Sequence, residues 1–373
     1  MALYKFGEIA FNSTEKKKPV ESDKSVYIGL EHLDSKDLRV NRWGSDVAPI
    51  GDKLIMKKGD VLFGKRRAYQ KKVAIAPFDG IFSAHGLVLR PKEDVIDKEF
   101  FPFFISSDYF LDAAIKISVG SLSPTINWGD LKELEFDLPS IEEQKRLAKI
   151  LMAAEETRQA YKKFIKQTDD LIKIIYNEMI MNKSYDFMSI SDVCKILNGY
   201  AFQSKLYTNS GIRVIRITNV QKGKIVDDNP EFYPISKQSE IQGYMLKEND
   251  LLVSLTGNVG RVGLVSKDLL PAGLNQRVAC LRPKPNKILT DYLFYVLNQD
   301  KFEQDCIDSS NGIAQKNLST IWLSNYQVPV PSENIQKEFV GRVQQAEQTK
   351  RATQQSLDAL NETMRALVNR NFN

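Results

Sequence analysis

The chain has 373 residues, of which 42% are hydrophobic and 27% are charged, which is ordinary for a globular protein with room for two or more domains. No apolar run approaches the roughly 18 residues needed to span a bilayer, and the N-terminus lacks the pattern of a signal peptide, so we expect a cytoplasmic protein without membrane contact. The formal net charge of +5 permits a polyanionic partner but does not require one.

Residues 1–140 carry the pattern of a mixed α/β domain. Short runs rich in β-branched residues alternate with polar, glycine-containing turns and predict strands. These runs lie at residues 25–30, 73–76, 87–89 and 134–138. Between the last two runs, residues 98–117 show the period of a helix with aromatic residues on its inner face.

Residues 141–183 predict one long helix. From Leu147 to Met179 the seam positions advance alternately by four and three residues, which is the 3.5-residue period of two packed helices. Ser140 is a predicted N-cap behind Pro139, and a helix of about forty residues measures roughly 60 Å. Arg158 interrupts the seam, either as a solvated gap at a splayed crossing or as a device that fixes the register.

The remaining residues repeat this order. Residues 184–331 predict a second mixed domain with a helical stretch at 290–307, and residues 332–373 predict a second long helix, whose seam is interrupted by Lys350. The predicted strands of this domain lie at residues 213–218, 261–265, 278–281 and 326–330. The chain therefore runs domain, helix, domain, helix.

An internal duplication accounts for that order. Residues 59–62 (Gly-Asp-Val-Leu) resemble residues 249–252 (Asn-Asp-Leu-Leu) at an offset of 190. Residues 89–92 and 281–284 are both Leu-Arg-Pro-Lys, at an offset of 192, and the two helix seams correspond at the same offset. Ordered matches with a slowly drifting offset indicate that one unit occurs twice.

We therefore predict an α/β (α+β) fold with two similar globular domains, residues 1–140 and 184–331. Two long antiparallel helices, residues 141–183 and 332–373, form a coiled-coil spacer between them. The duplication further implies an internal pseudo-twofold axis.

The sequence offers little material for catalysis or for a metal site. Three cysteines that never pair as C-x-x-C and only two histidines disfavour a disulfide framework, a zinc site and histidine-based catalysis. Residues 59–65 approach the pattern of a phosphate-binding loop, but position 66 is Arg rather than the Ser or Thr that binds magnesium. The glycines at 257–263 lack dinucleotide spacing and predict a turn between strands. We predict no catalytic residue, metal site or cofactor in this chain.

Cationic and amide residues at corresponding places in both domains are candidates for DNA contacts. Cations bind phosphates, and Arg, Gln and Asn side chains also read base edges. The candidates of the first domain are Lys65, Arg66, Arg67, Tyr69, Gln70, Lys71 and Lys72. Those of the second are Arg216, Asn219, Lys222, Thr256, Asn258, Arg261, Asn275, Gln276, Arg277, Gln315, Lys316 and Asn317. Any single one is compatible with a solvated loop, but the set favours a shared binding surface that reads different sequences in the two domains.

The chain resembles the specificity subunit of Type I restriction-modification systems over essentially its full length. The resemblance rests first on the two closings, Leu138–Lys145 and Val330–Lys337, each of which leads into a long helix. Further shared features are the strands at residues 59–62 and 249–252 and the stretches at residues 254–261 and 274–276. Asn334 departs from the Glu-Glu-Gln pattern in the second closing.

That resemblance implies two target-recognition domains and a bipartite, asymmetric DNA site whose gap is set by the helices. It implies as partners double-stranded DNA, two methyltransferase subunits that modify adenine, and a restriction subunit. S-adenosylmethionine, ATP and magnesium are accordingly expected on the partner subunits. Two alternatives stay open: a free-standing sequence-specific DNA-binding regulator, and an enzyme that uses residues 59–65 to bind a nucleotide.

Overall fold

The computed structural model describes residues 1–310 and 316–370, which form two compact units. Of the described residues, unit 1 contains 1–164 and 352–370, and unit 2 contains the rest. Each unit therefore takes a piece of both long helices, so the helices do not form a separate unit beside the predicted domains.

Unit 1 begins with a mixed α/β domain that leads into the first long helix. Its elements are β1 (Ala2–Lys5), α1 (Phe6–Ile9), β2 (Ala10–Ser13), β3 (Lys16–Lys17), β4 (Tyr27–Ile28), β5 (Lys53–Met56), β6 (Val61–Phe63), β7 (Val73–Ile75), β8 (Gly80–Phe82), β9 (Leu87–Pro91), α2 (Phe101–Ser106), α3 (Asp108–Lys116), α4 (Trp128–Leu131), β10 (Glu135–Leu138) and α5 (Ile141–Tyr176). One four-stranded sheet has the order β2-β9-β6-β7 and a second the order β3-β5-β8-β4, and β1 pairs with β10.

Unit 2 repeats this plan. Its elements are β11 (Phe187–Ser189), α6 (Ile190–Val193), β12 (Cys194–Asn198), β13 (Ile212–Ile215), β14 (Val220–Gln221), β15 (Lys224–Ile225), β16 (Phe232–Tyr233), β17 (Leu251–Ser254), β18 (Val262–Leu264), β19 (Ala272–Leu274), β20 (Val278–Pro283), α7 (Thr290–Leu297), α8 (Asp300–Ser309), α9 (Thr320–Asn325), β21 (Gln327–Pro329) and α10 (Glu333–Arg370). The sheet β12-β20-β17-β18 matches β2-β9-β6-β7, and the parallel pair β13 and β19 matches the parallel pair β4 and β8.

Two buried polar groups recur in both units and stabilise the turns that the duplication preserves. In unit 1, Arg90 of β9 donates to Asp60 at 2.7 Å, and in unit 2 Arg282 of β20 donates to Asp250 at 2.7 Å. Each aspartate also caps its own turn by accepting from a backbone N–H three residues earlier, at 2.8 Å. The matched sequence runs at 59–62 and 249–252 therefore have one structural cause, a buried ion pair.

A glutamine in the first turn of each long helix ties that helix to its domain. Gln144 of α5 accepts from Asp97 N–H at 2.8 Å and donates to Pro139 O at 2.9 Å. Gln336 of α10 makes the matching bonds: it accepts from Leu289 N–H at 2.8 Å and donates to Pro331 O at 2.9 Å. The helices run 36 and 38 residues, or about 54 and 57 Å, slightly less than the sequence predicts.

Within each unit the beginning of one long helix packs beside the end of the other. The core of unit 1 includes Leu147 and Leu151 from the start of α5 and Val368 from the end of α10. The core of unit 2 includes Tyr176 from the end of α5 and Phe339 from the start of α10. In each unit the two helix pieces bury their predicted apolar seams in the core, and the two pieces run in opposite directions.

Some predicted elements are shorter or divided. Only two residues of the predicted strand at 25–30 form a strand, because Gly29 N–H donates to Nδ1 of His32 at 2.9 Å in a tight turn that follows. The predicted helix at 98–117 is divided at Ser107, which leaves the helical region and caps α3 by accepting from Phe110 N–H. The predicted helix at 290–307 is divided in the same place, at Gln299.

The two cations that interrupt the seams make different contacts. Arg158 is buried and pairs with Glu155 and Asp37, so the interpretation as a solvated gap is wrong for this residue. Lys350 of α10 pairs with Asp169 of α5 within unit 2, as a residue that fixes the register of two helices does.

Candidate nucleic-acid interface

Three loops of unit 1 meet at one surface. Loop A joins β6 to β7 (residues 64–72), loop B joins β8 to β9 (residues 83–86) and loop C joins α3 to α4 (residues 117–127). Arg66 N–H of loop A donates to His85 O of loop B at 3.3 Å, and Arg67 N–H donates to Pro124 O of loop C at 2.8 Å. Loop A is therefore held by backbone atoms on both sides.

The corresponding loops of unit 2 meet in the same way. Loop A joins β17 to β18 (residues 255–261), loop B joins β19 to β20 (residues 275–277), and the described part of loop C, between α8 and α9, is residue 310 and residues 316–319. Leu255 N–H donates to Arg277 O at 3.0 Å, and Gly257 N–H donates to Lys316 O at 2.9 Å. The structure thus brings together predicted residues from three separate stretches, whereas Gln315 lies outside the described residues.

The backbone of loop A turns sharply in both units. In unit 1, Arg67 and Lys71 adopt left-handed conformations, with φ of 55° and 48°, that non-glycine residues seldom take. In unit 2 the left-handed positions are Gly257 and Gly260, with φ of 71° and 79°. The prediction of a glycine turn at 257–263 is confirmed, and the strained residues of unit 1 are of the kind that concentrates at functional sites.

The cations of loop A in unit 1 divide into two groups. Arg66 and Arg67 are exposed, and no carboxylate pairs with either of them within residues 1–310 and 316–370. Burial and then the nearby Lys16 lower the pKa of the half-buried Lys65. Tyr69 is 55% exposed beside them, and Gln70 is partly buried. The exposed part of the loop therefore offers two guanidinium groups and an aromatic ring.

The other two cations of this loop are engaged by the protein. Lys71 donates to Asp108 at 2.8 Å and to Asp112 at 2.7 Å, and its pKa is raised because these hydrogen bonds outweigh its burial. Lys72 donates to Leu30 O at 2.6 Å. The charged groups of both lysines therefore have partners inside unit 1, and their contact with DNA stays a prediction.

Among the candidates of unit 2, Asn219 is a structural residue. It is 3% exposed; its Oδ1 accepts from Arg216 N–H at 2.8 Å, and its amide nitrogen donates to Val226 O and Asp227 Oδ1 at 2.9 Å each. Both polar atoms of the side chain therefore have partners inside unit 2, and its contact with DNA stays a prediction. Thr256 is likewise buried, at 9% exposed, and pairs loop A with loop C, so its contact with DNA also stays a prediction.

Lys222 is compensated in the same way as Lys71. It donates to Asp300 at 2.6 Å and to Glu303 at 2.8 Å. Hydrogen bonds from Lys222 and Lys173 lower the pKa of Asp300 to about 2. Asp300 and Asp108 begin equivalent helices, and each neutralises one predicted DNA-binding lysine of its unit.

The remaining candidates of unit 2 lie along a cleft and on loop B. Arg216, Lys222 and Arg261 line a cleft of about 770 Å³, in which Arg261 donates to Gln221 Oε1 at 2.6 Å. Of the candidates on the three loops, Asn258, Gln276, Arg277 and Asn317 are exposed, and Asn275 and Lys316 are partly exposed. Asn275 Oδ1 accepts from Arg277 N–H at 3.1 Å and shapes the turn.

Sequence reasoning missed the loop B residues of unit 1. His85 occupies the position of Arg277, and its N–H donates to Ser83 Oγ at 3.3 Å just as Arg277 N–H donates to Asn275. The offset of 192 found in the sequence links both pairs, and applying it to loop B would have identified them. Thr125 of loop C, which pairs with Arg66, corresponds to Asn317 by the same offset.

The stretch at residues 59–65 does not form a phosphate-binding loop. Gly59 lies in the turn before β6 and Gly64 directly after it, so a strand separates the two glycines. No helix follows whose N-terminal N–H groups could bind phosphate, because the next regular element is a three-residue turn at Ala68–Gln70. The nucleotide-binding alternative is therefore contradicted by the local structure.

Residues 1–310 and 316–370 contain neither a cluster suited to a metal ion nor a helix that could cross a membrane. No three His, Cys, Asp or Glu side chains cluster there so that they could hold a metal ion. No helix there is long and apolar enough to cross a membrane. The three cysteines are buried, and burial raises the pKa of the Cys194 thiol to about 12.

The family described as the Type I restriction modification DNA specificity domain matches this chain twice, at residues 4–168 and 182–362. The specificity subunit of the Type I restriction enzyme MjaVIII of Methanocaldococcus jannaschii is 24% identical over 286 residues, which cover 71% of this chain and 67% of that protein. The specificity subunit of the Escherichia coli enzyme EcoBI is 31% identical over 137 residues, or 36% of this chain and 28% of that protein.

Solved structures share the fold. A chain from a structure that describes complex assembly and conformational transition of the type I R-M system has a TM-score of 0.63 at 20% identity, covering 100% of this chain and 97% of that chain. The S subunit of the Type-I restriction-modification system of M. genitalium has a TM-score of 0.60 at 13% identity, covering 100% and 96%. At these identities the likeness concerns the fold alone.

Proposed function

The chain belongs to the Type I restriction modification DNA specificity family, and from that premise we propose that each unit reads one half of a bipartite, asymmetric DNA site. The surface formed by loops A, B and C of each unit makes the contact. The chain is the sequence-specific DNA-binding subunit of its system and carries out no chemistry itself.

One observation carries this proposal: the two surfaces share a backbone arrangement but differ in side chains. In both units backbone hydrogen bonds join loop A to loop B and loop A to loop C. Arg66 of unit 1 corresponds to Thr256 of unit 2, and His85 corresponds to Arg277. Different donors and acceptors on one framework suit two half-sites of different sequence.

The side chains divide by the part of DNA that they suit. Arg66 and Arg67 supply positive charge on an exposed turn, which suits contacts to phosphates and a salt-dependent affinity. Arg277 and Gln276 lie on the exposed turn of loop B, where a guanidinium and an amide can bond in pairs to guanine and adenine edges. We therefore assign positioning mainly to loop A of unit 1 and base reading to loop B of unit 2.

The same proposal places the chemistry on other chains. The subunit acts with methyltransferase and restriction subunits, and two methyltransferase copies match the two units. Those partners hold S-adenosylmethionine, and the restriction subunit holds ATP and magnesium. With a net charge of only +5, much of the phosphate neutralisation falls to them.

A map of methylated adenines in cells with and without the gene tests the function. We expect loss of one gapped, asymmetric motif when the gene is deleted. An unchanged methylation map, together with a purified protein that retains no methyltransferase partner, would overturn the proposal in favour of a free-standing regulator.

A domain exchange tests the division of labour between the units. Replacing residues 1–140 with the first domain of a relative should change one half of the motif and leave the other half as it was. A matched exchange of residues 184–331 should change the other half only. If either exchange altered both halves, the two surfaces would not be independent readers.

A further inference from the structure

A charged cluster in unit 1 joins the first domain to the long helix α5. Asp37, whose side chain is 6% exposed, pairs with Arg158 at 3.2 Å and with Lys162 at 2.7 Å. Arg158, 10% exposed, also pairs with Glu155 at 2.8 Å and donates to Lys36 O at 2.8 Å. We call these residues, Lys36, Asp37, Glu155, Arg158 and Lys162, the Asp37 cluster.

The segment that carries Asp37 also contacts the strand and the loop of the DNA surface. Ser35 forms a β-bridge with Lys72, the last residue of loop A. Leu38 O accepts from Ile75 N–H of β7 at 2.8 Å, and the side chain of Lys72 donates to Leu30 O, a few residues before this segment. Residues 35–38 therefore lie between α5 and loop A and touch both.

Buried charges of this kind define geometry more than they add stability. Bringing charged groups out of water costs about as much as their attraction returns, so a buried ion pair is weak support for stability alone. Its partners, however, must keep their distances and angles, because a displaced partner leaves a charge uncompensated in a poorly solvated place. Burial alone would raise the pKa of Asp37, but the hydrogen bond from Lys162 and the other contacts outweigh burial and lower the pKa overall. Asp37 therefore stays ionised.

Unit 2 does not use this device at the equivalent helix positions. Lys350, which corresponds to Arg158, pairs with Asp169 of the other long helix. Glu347, which corresponds to Glu155, accepts from Tyr295 Oη of α7 at 3.1 Å. The Asp37 cluster is thus a property of the first domain and not of the duplicated framework.

We propose that Asp37 is a positioning residue that holds loop A of unit 1 at one orientation on α5 and thereby helps to select the gap between the half-sites. This inference rests on the proposed function. Adding one base pair to the gap moves a half-site by about 3.4 Å and rotates it by about 35°, so a domain with a fixed orientation discriminates between gap lengths.

The test uses Asp37→Asn in the full chain, assembled with its methyltransferase subunits. Methylation rates are measured on duplexes that carry the natural motif and on duplexes whose gap is one base pair shorter or longer. We expect the preference for the natural gap to fall about tenfold, which lies within the coupling energies of buried polar networks. The sequence preference at both half-sites should not change.

Asp34→Asn is the matched control. Asp34 lies in the same segment, and its pair with Arg42 is exposed, so the same change of acid to amide should leave the gap preference as it was. Lys162→Gln is a milder second variant, because Lys162 is 39% exposed and Arg158 still pairs with Asp37. It should relax the gap preference in the same direction by a smaller factor.

Four outcomes decide between the explanations. A folded Asp37→Asn complex that keeps the full gap preference would overturn the positioning role, as would altered half-site sequences. If Asp37→Asn fails to fold, a Lys162→Gln complex with unchanged gap preference overturns it equally. A wild-type complex with no gapped motif would instead refute the proposed function, which separates the two failures.

Discussion

Replacing Arg66 and Arg67 with Gln should reduce the salt dependence of DNA binding. Both side chains are exposed on loop A of unit 1, and no acidic partner within the described residues neutralises them. We count them as two phosphate contacts and exclude Lys71 and Lys72, whose ammonium groups bond to carboxylates and to a carbonyl.

The magnitude follows from counterion release. Each phosphate contact contributes about 0.9 to the slope of log affinity against log salt concentration, so the double variant should have a slope smaller by about 1.8. Raising the salt concentration from about 50 to about 200 mM should then reduce the ratio of wild-type to double-variant DNA affinity about tenfold. Each single variant should account for half of the change in slope.

The assay is DNA binding by the assembled complex, measured by fluorescence anisotropy on a duplex with the natural motif at four or more salt concentrations. Lys98→Gln is the charge-matched control, because Lys98 is exposed in the same unit, next to the residue that contacts Gln144 and outside the three loops. If Lys98→Gln changed the slope as much as Arg66→Gln, the assignment of loop A to phosphate contacts would be refuted.

Three further predictions concern the framework that holds the loops. Gln144→Ala and Gln336→Ala should each lower the free energy of unfolding by about 2–4 kcal/mol in urea denaturation, because each strands buried backbone groups. The pKa of Asp300 is about 2 in the folded protein and about 3.9 in the unfolded chain, so the stabilisation by ionised Asp300 is complete above the unfolded pKa and is lost as the pH falls to the folded pKa. The difference in unfolding free energy between wild type and Asp300→Asn should therefore shrink from about pH 5 to about pH 2. Gly260→Ala should cost about 2 kcal/mol or more in thermal unfolding, because its φ is 79° and a Cβ atom would lie 2.9 Å from Cys306 Sγ.

Each of these predictions has a contradicting result. Unfolding free energies of the glutamine variants within about 0.5 kcal/mol of wild type would show that the bonds are replaced by water. A stability difference for Asp300→Asn that grew on acidification would have the wrong sign for a lowered pKa. Gly243→Ala is the control for Gly260→Ala, since no atom lies within 4 Å of a Cβ placed at Gly243.

The periodic parts of the fold could be predicted from the sequence. The 3.5-residue seams and the offset of 192 identify both long helices, because a buried face repeats at the helical period wherever it occurs. The offset also pairs Gln144 with Gln336, although only the structure explains them as matching bonds to backbone groups.

The accessible part of the candidate site could not be predicted in the same way. Lys71 looks like a free cation in the sequence, but its partner Asp108 lies 37 residues further along the chain. Asn219 looks like a base reader, but the fold buries it. Exposure and pairing depend on contacts distant in sequence, which residue type and local spacing do not encode.

The construction of the two surfaces separates stability from recognition. Loops A, B and C are tied by backbone atoms, so a new side chain at Arg66 or Arg277 leaves the hydrogen bonds in place. The side chains that fix the framework are the buried Asp60 with the partly buried Arg90, and the buried Gln144, and none of them lies on loops A, B or C. Recognition residues can therefore change at little cost in folding free energy, whereas the orientation of loop A of the first domain on α5 depends on a side chain, Asp37. On this reasoning half-site sequence and gap length are controlled by different residues of the same domain.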